Sequence, residues 1–124
     1  ISFLGVTFKP NTDDMRDSPS LDLIPALLKE GAKLSLYDPE GMPEAKKIFK
    51  KYTKNISWFD DAYKAMTKSN ALIILTEWNE FRALDISKVK KLLYRPIIVD
   101  FRNIYNPDEL LKQGMEYYSI GRPQ

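Results

Sequence analysis

Ile1-Ser2-Phe3-Leu4-Gly5-Val6, Ser18-Pro19-Ser20-Leu21-Asp22-Leu23-Ile24-Pro25-Ala26-Leu27-Leu28-Lys29-Glu30-Gly31 and Ala32-Lys33-Leu34-Ser35-Leu36-Tyr37 read in turn as a strand, a helix and a second strand. The first is a near-continuous apolar run, as a buried strand requires. In the second, Leu21, Ile24 and Leu28 recur at helical spacing, and Leu23 and Leu27 widen the stripe. Ser18 stands where an N-cap belongs, with Pro19 at the first helical position, where its missing N–H costs nothing. Gly31 supplies the C-terminal stop, and Pro25 is expected to bend the helix. A strand, a crossover helix and a strand form a parallel pair.

Working outward, the same alternation continues. Asp38-Pro39 closes the second strand, and residues 43–52 read as a lysine-rich helix with a solvated face. Residues 56–59 form a short strand, after which Asp60 or Asp61 caps a helix running through Thr67. Residues 71–75 are the most continuous apolar run, which marks a central strand buried on both faces. Residues 78–93 are helical in part, 97–99 are a strand, 107–112 a short helix ended by Gly114, and 117–120 a last strand. The expected fold is α/β: one Rossmann-like, doubly wound domain over residues 1–124, with a mainly parallel sheet of about six strands and helices on both faces.

Composition narrows the chemistry. The 124 residues are 44% hydrophobic and 29% charged, and 19 lysines and arginines against 17 acids leave a net charge of +2. Such balance does not suit a general nucleic-acid or acidic-membrane binder, which needs a dense cationic face. There is no Cys and no His, hence no disulfide frame, thiolate nucleophile, imidazole base or zinc site built from either. No apolar run approaches the ~20 residues that span a bilayer. Opening on a core strand without Met, the chain is expected to be a fragment of a longer protein.

In doubly wound sheets, ligands bind beyond the carboxyl ends of the strands, where strand order reverses. The first such end, residues 7–18, contains no glycine, so a G-x-G-x-x-G pyrophosphate cradle is absent. Asp38 falls where a ribose-binding acid would stand, but an Asp-Pro turn is its simpler role. The loop instead carries Lys9 and Arg16 among Asp13, Asp14 and Asp17, with Thr12 and Ser18 as hydroxyl donors. Lysine offers phosphate a point charge and arginine a planar fork. Equally, the aspartates suit the positive end of the following helix, and the cations could form surface pairs of little worth. Composition leaves both readings open. The Asp13/Asp14 pair lacks calcium-loop spacing, and no metal site is expected. Arg102, just past a buried strand, is the third candidate anion binder, while Trp78 and Phe81, three apart on a helix, are expected in the core.

The stretch from Gly5 to Ser20 closely resembles the start of the C-terminal domain of the UDP-glucose/GDP-mannose dehydrogenase family. Tyr37-Asp38-Pro39, Thr76-Glu77-Trp78-Asn79-Glu80-Phe81, residues 100–107 and Tyr117-Tyr118-Ser119-Ile120-Gly121-Arg122-Pro123 are similar to that family in its order. Within it, the resemblance is greatest to bacterial-type UDP-glucose 6-dehydrogenases. It implies the nucleotide-sugar-binding end of a cytoplasmic, homo-oligomeric enzyme of polysaccharide biosynthesis, which oxidises a UDP-sugar at C6 with NAD. NAD is then held mainly by an N-terminal domain, and the catalytic cysteine lies in the preceding regions, so no catalytic residue is expected in this chain. The resemblance assigns Phe8 and Lys9 to the UDP-sugar, Arg16 to NAD across an interdomain cleft, and Arg102 to the UDP-sugar. Phe101 stands where the family's D-G-R-N motif has glycine. Implied partners are UDP-sugar, NAD and the N-terminal and central domains of the same polypeptide, with no nucleic acid and no membrane. Alternatives are another UDP-sugar 6-dehydrogenase, such as one acting on UDP-N-acetylmannosamine, or a free-standing nucleotide- or partner-binding module.

Overall fold

Six parallel strands form one sheet in the order β3-β2-β1-β4-β5-β6, the doubly wound arrangement expected from the alternation. The strands are β1 (Ser2–Leu4), β2 (Leu34–Tyr37), β3 (Ile56–Trp58), β4 (Leu72–Ile74), β5 (Ile97–Asp100) and β6 (Glu116–Ser119). The helices are α1 (Ser20–Lys29), α2 (Met42–Ile48), α3 (Ala62–Met66), α4 (Asn79–Arg82), α5 (Ile86–Leu92) and α6 (Pro107–Lys112). The computed structural model describes residues 1–7, 11, 13–16 and 18–120. None of these helices is long and apolar enough to cross a membrane.

Alternation along the strands splits the core into two layers. Phe3, Leu36, Ile73 and Leu75 pack with Ile24 and Leu28 of α1 and Ala45 of α2 on one side. Leu4, Leu72, Ile74, Ile98 and Tyr117 pack with α3, α5 and α6 on the other. Residues 72–75 are buried on both faces, as a central strand requires. Trp78 and Phe81 are in the core, and the buried indole N–H of Trp78 has no acceptor among the described residues.

Local chemistry explains where the elements stop. β1 ends at Leu4 because Gly5 leaves the extended region, at φ +90. At the start of α1, Pro19 is already helical (φ −56, ψ −23), and Ser18 Oγ accepts the Ser20 N–H at 3.2 Å. Pro25 sits inside α1, which runs unbroken to Lys29. Asp61 caps α3 by accepting the Lys64 N–H at 2.9 Å, whereas Asp60 pairs with the Lys64 ammonium at 3.5 Å. The helix expected over residues 43–52 is shorter. α2 stops at Ile48, the buried Phe49 (φ −99, ψ 20) departs from helical geometry, and a 3-10 segment covers Lys50–Asn55. Swinging Phe49 into the core takes precedence over extending a lysine-rich helix.

Candidate functional site

Register brings the strand ends into one row. Leu4 lies beside Tyr37 on one side and Ile74 on the other, Ile74 beside Asp100, and Asp100 beside Ser119. The loops that follow β1, β2, β4 and β5 therefore begin side by side along one edge. Strand order reverses between β1 and β4, which places the switch point at the root of the loop after Gly5.

Asp38 builds the first half of this edge. Its side chain is fully buried, and its carboxylate spans two loops. Oδ2 accepts the Val6 N–H at 2.8 Å, the Thr7 N–H at 3.3 Å and the Thr7 hydroxyl at 3.2 Å. Oδ1 accepts the N–H groups of Glu40 at 2.9 Å and Gly41 at 2.7 Å. Packing there is close: a Cβ on Gly41 would lie 2.4 Å from Thr7 Cγ2. With both oxygens committed, Asp38 is the anchor of a turn and is not offered to a ribose. The Asp-Pro reading of this residue is the one the geometry supports, extended by a reach of 32 residues back to Val6.

Across the switch point the link continues. A Cβ on Gly5 would lie 2.6 Å from Thr76 Cβ, so glycine is required here by close approach as well as by its φ. The buried Thr76 donates its hydroxyl to the Thr7 carbonyl at 2.8 Å. Arg102 Nε donates to the carbonyl of Leu75 at 2.8 Å. Asp100, also fully buried, then fixes the next loop: Oδ1 accepts the N–H groups of Arg102 at 2.8 Å and Asn103 at 2.9 Å, and Oδ2 accepts that of Ile104 at 2.8 Å. The Tyr117 hydroxyl donates to Asp100 Oδ2 at 2.7 Å. Burial, together with that bond, pushes the Tyr117 phenol up to about 12. A continuous chain of contacts thus runs from Asp38 through Thr7, Thr76, Leu75 and Arg102 to Asp100.

Of the site residues expected from sequence, Arg102 is half-buried and braced within this chain. Phe101 is partly buried against the α1-side core, and positive φ in this loop falls on Asn103 (φ 58) instead. Replacing the family glycine therefore adds packing without demanding a left-handed backbone. Arg16 is placed differently: its side chain is 88% exposed, and Asp14 accepts its backbone N–H at 2.9 Å, Nε at 3.0 Å and Nη2 at 3.0 Å. An open cleft of about 570 Å³ adjoins it, lined by Asp13, Met15, Leu21, Glu44 and Ile48 among others. Phe8 and Lys9 lie outside the described residues, as do Thr12 and Asp17.

Ser18 has another role than the ligand donor considered for it. Its hydroxyl donates to the Val6 carbonyl at 2.6 Å, and the Ser20 hydroxyl reaches the same oxygen at 2.7 Å. Together they tie the end of the loop to its beginning. Sequence reasoning passed over Thr76 and Ser20 because their partners are remote in the chain.

The neighbours of this fold among known proteins are consistent. UDP-glucose 6-dehydrogenase of Rhizobium meliloti (strain 1021) is 50% identical over 123 residues, covering 99% of this chain and 27% of that protein. UDP-glucose 6-dehydrogenase TuaD of Bacillus subtilis (strain 168) is 44% identical over 123 residues, covering 99% and 26%. This chain thus spans about a quarter of the length of the curated relatives it matches. In three dimensions, an NDP-N-acetyl-D-galactosaminuronic acid dehydrogenase from Methanosarcina mazei Go1 superposes with a TM-score of 0.79 at 27% identity, covering 97% of this chain and 24% of that one. Since residues 2–107 match the UDP binding domain of the UDP-glucose/GDP-mannose dehydrogenases, the chain belongs to that family.

Proposed function

We propose that the chain is the nucleotide-sugar-holding C-terminal domain of an NAD-dependent UDP-glucose 6-dehydrogenase, a cytoplasmic oxidoreductase of polysaccharide biosynthesis. The reaction takes UDP-glucose to UDP-glucuronate with reduction of two NAD. The observation that carries the reading is Arg102, braced at the end of β5 by Asp100 and the Leu75 carbonyl beside the switch point. Identity of 50% to a UDP-glucose 6-dehydrogenase across nearly the whole chain supports the choice of sugar nucleotide.

The work assigned to this chain is binding. Phe8, Lys9 and Arg102 hold the UDP-sugar, and the cations engage the anionic diphosphate by charge-assisted hydrogen bonds. That anchorage is remote from C6, so its binding energy positions the reacting carbon without taking part in its chemistry. The Asp38–Asp100 chain of contacts holds the Arg102 backbone ready before substrate arrives. The chain has neither Cys nor His, so a cysteine nucleophile for the oxidation must come from another region of the polypeptide. Nor do its residues fit a complete dinucleotide cradle: the loop after β1 lacks a glycine run, and Asp38 is spent on backbone N–H groups. Arg16 alone is assigned toward NAD, which would be held by the N-terminal domain.

The test is NAD reduction by the full-length polypeptide supplied with UDP-glucose, followed by absorbance. UDP-glucose-dependent turnover supports the reading, and absence of turnover with UDP-glucose overturns it. The 124-residue chain alone should reduce no NAD. Turnover by it would remove the division of labour proposed here.

A further inference from the structure

β6 is an edge strand, with β5 as its neighbour in the sheet, and it lies beyond residues 2–107, which carry the family match. Its burial alternates: Glu116 and Tyr118 face solvent, whereas Tyr117 and Ser119 are buried. Aliphatic side chains would serve packing alone, so hydroxyls at both inward positions call for partners. Both find them in the loop after β5. The Tyr117 hydroxyl donates to Asp100 Oδ2 at 2.7 Å, and the Ser119 hydroxyl donates to the side-chain oxygen of Asn103.

The origin of each donor decides what its bond does. Among the described residues, every other donor to the Asp100 carboxylate belongs to the loop itself, as the backbone N–H groups of Arg102, Asn103 and Ile104. Those bonds fasten the loop to the carboxylate. They do not fix the carboxylate plane, because the terminal torsion of an aspartate is broad. Tyr117 comes from another strand, 17 residues on, and pins that plane against the sheet. Its ring is held in turn, buried and edge-on to Tyr105 with centroids 6.3 Å apart and an interplanar angle of 74°. Arg102 thus leaves a loop whose root is aimed from β6.

We propose that Tyr117 is a positioning residue for the UDP-sugar, setting through Asp100 the direction in which Arg102 presents its guanidinium to the diphosphate. The inference rests on the proposed role of Arg102 and extends it to a strand outside the matched stretch. Tyr117 itself touches no ligand. Losing its hydroxyl keeps the charge of Arg102 and loosens its aim, and a charge-assisted fork depends on alignment.

The experiment titrates the full-length polypeptide with UDP by calorimetry. Tyr117→Phe should raise the Kd for UDP about fivefold and KM for UDP-glucose in proportion, leaving KM for NAD in place. Tyr105→Phe is the comparator. It removes one hydroxyl from the same core cluster, but that hydroxyl donates to the Phe81 carbonyl, so Kd should move less than about twofold. In an Arg102→Ala background, Tyr117→Phe should raise KM for UDP-glucose less than about twofold, since no guanidinium is left to aim. Thermal unfolding establishes that each variant is folded. A change below about twofold in Tyr117→Phe overturns the proposal, as does equal weakening by Tyr105→Phe or a full effect without Arg102. Turnover of UDP-glucose with UDP held as tightly by Tyr117→Phe would remove the positioning role and leave the activity standing. Weakened UDP binding in a polypeptide that does not oxidise UDP-glucose would do the reverse.

Discussion

Asp38 and Asp100 are both fully buried at strand ends and both accept backbone N–H groups, but they brace different things. Asp38 joins loops from two strands, reaching back to Val6 and Thr7, whereas Asp100 gathers the loop that follows its own strand and takes one further bond from Tyr117. The cations differ accordingly. Arg102 lies within two residues of its carboxylate and is braced by a second strand's carbonyl, while Arg16 is held by the surface residue Asp14. A buried carboxylate spanning two strands fixes the frame, a buried carboxylate within one loop fixes a side chain's root, and a surface pair fixes little. Substitutions can break that ranking.

The largest effect is expected from Asp38→Ala, which strands several buried N–H groups at once. It should lower unfolding free energy by about 4 kcal/mol, read as the midpoint shift in urea. Asp100→Ala should cost about 3 kcal/mol by the same measurement, because its loop is partly exposed and water can replace some bonds. A greater loss from Asp100→Ala than from Asp38→Ala would invert the comparison.

Arg102→Ala in the full-length enzyme should raise KM for UDP-glucose roughly thirtyfold, equivalent to about 2 kcal/mol, with Arg102→Lys intermediate because it keeps charge and loses the fork. An unchanged KM would remove Arg102 from the site. Tyr117→Phe should cost about 1 kcal/mol near neutral pH, seen in thermal unfolding. Its pH dependence carries a sign. The folded phenol titrates near 12 against ~10 in the unfolded chain, so its contribution is complete below pH ~10 and is lost as pH rises toward 12. Tyr37 and Tyr105 are also raised, mainly by burial, and should add to alkaline destabilisation. Urea midpoints across pH 9 to 12 should therefore fall less steeply in Tyr117→Phe, and parallel curves would contradict the assignment.

The smallest effect on folding belongs to Arg16→Ala. An exposed pair contributes about 0–1 kcal/mol, so stability should scarcely move, while KM for NAD should rise more than KM for UDP-glucose. Equal shifts in both constants would undo the separation between the two arginines.

Much of the sheet was legible in sequence because each β-α-β step carries its own local signals: Ser18-Pro19 before α1, Gly31 after it, Asp61 before α3 and Gly114 after α6. Strand ends were less so. The apolar run through Val6 gives no hint that Gly5 turns to positive φ against Thr76, a contact between residues about seventy apart. Residues 43–52 look helical throughout, and only the burial of Phe49 explains the change to a 3-10 segment. For the candidate site, sequence singled out cations near strand ends as candidates, since charge beside a buried strand is conspicuous. What braces them was illegible: Asp38 to Val6, Thr76 to Thr7 and Arg102 to Leu75 are tertiary hydrogen bonds without a local pattern.

The chain of contacts from Asp38 to Asp100 also bears on motion. With the roots of the loops after β1, β2, β4 and β5 joined across the sheet, those roots are coupled and do not shift one at a time. A displacement imposed on any one root is passed to its neighbours along the strand row.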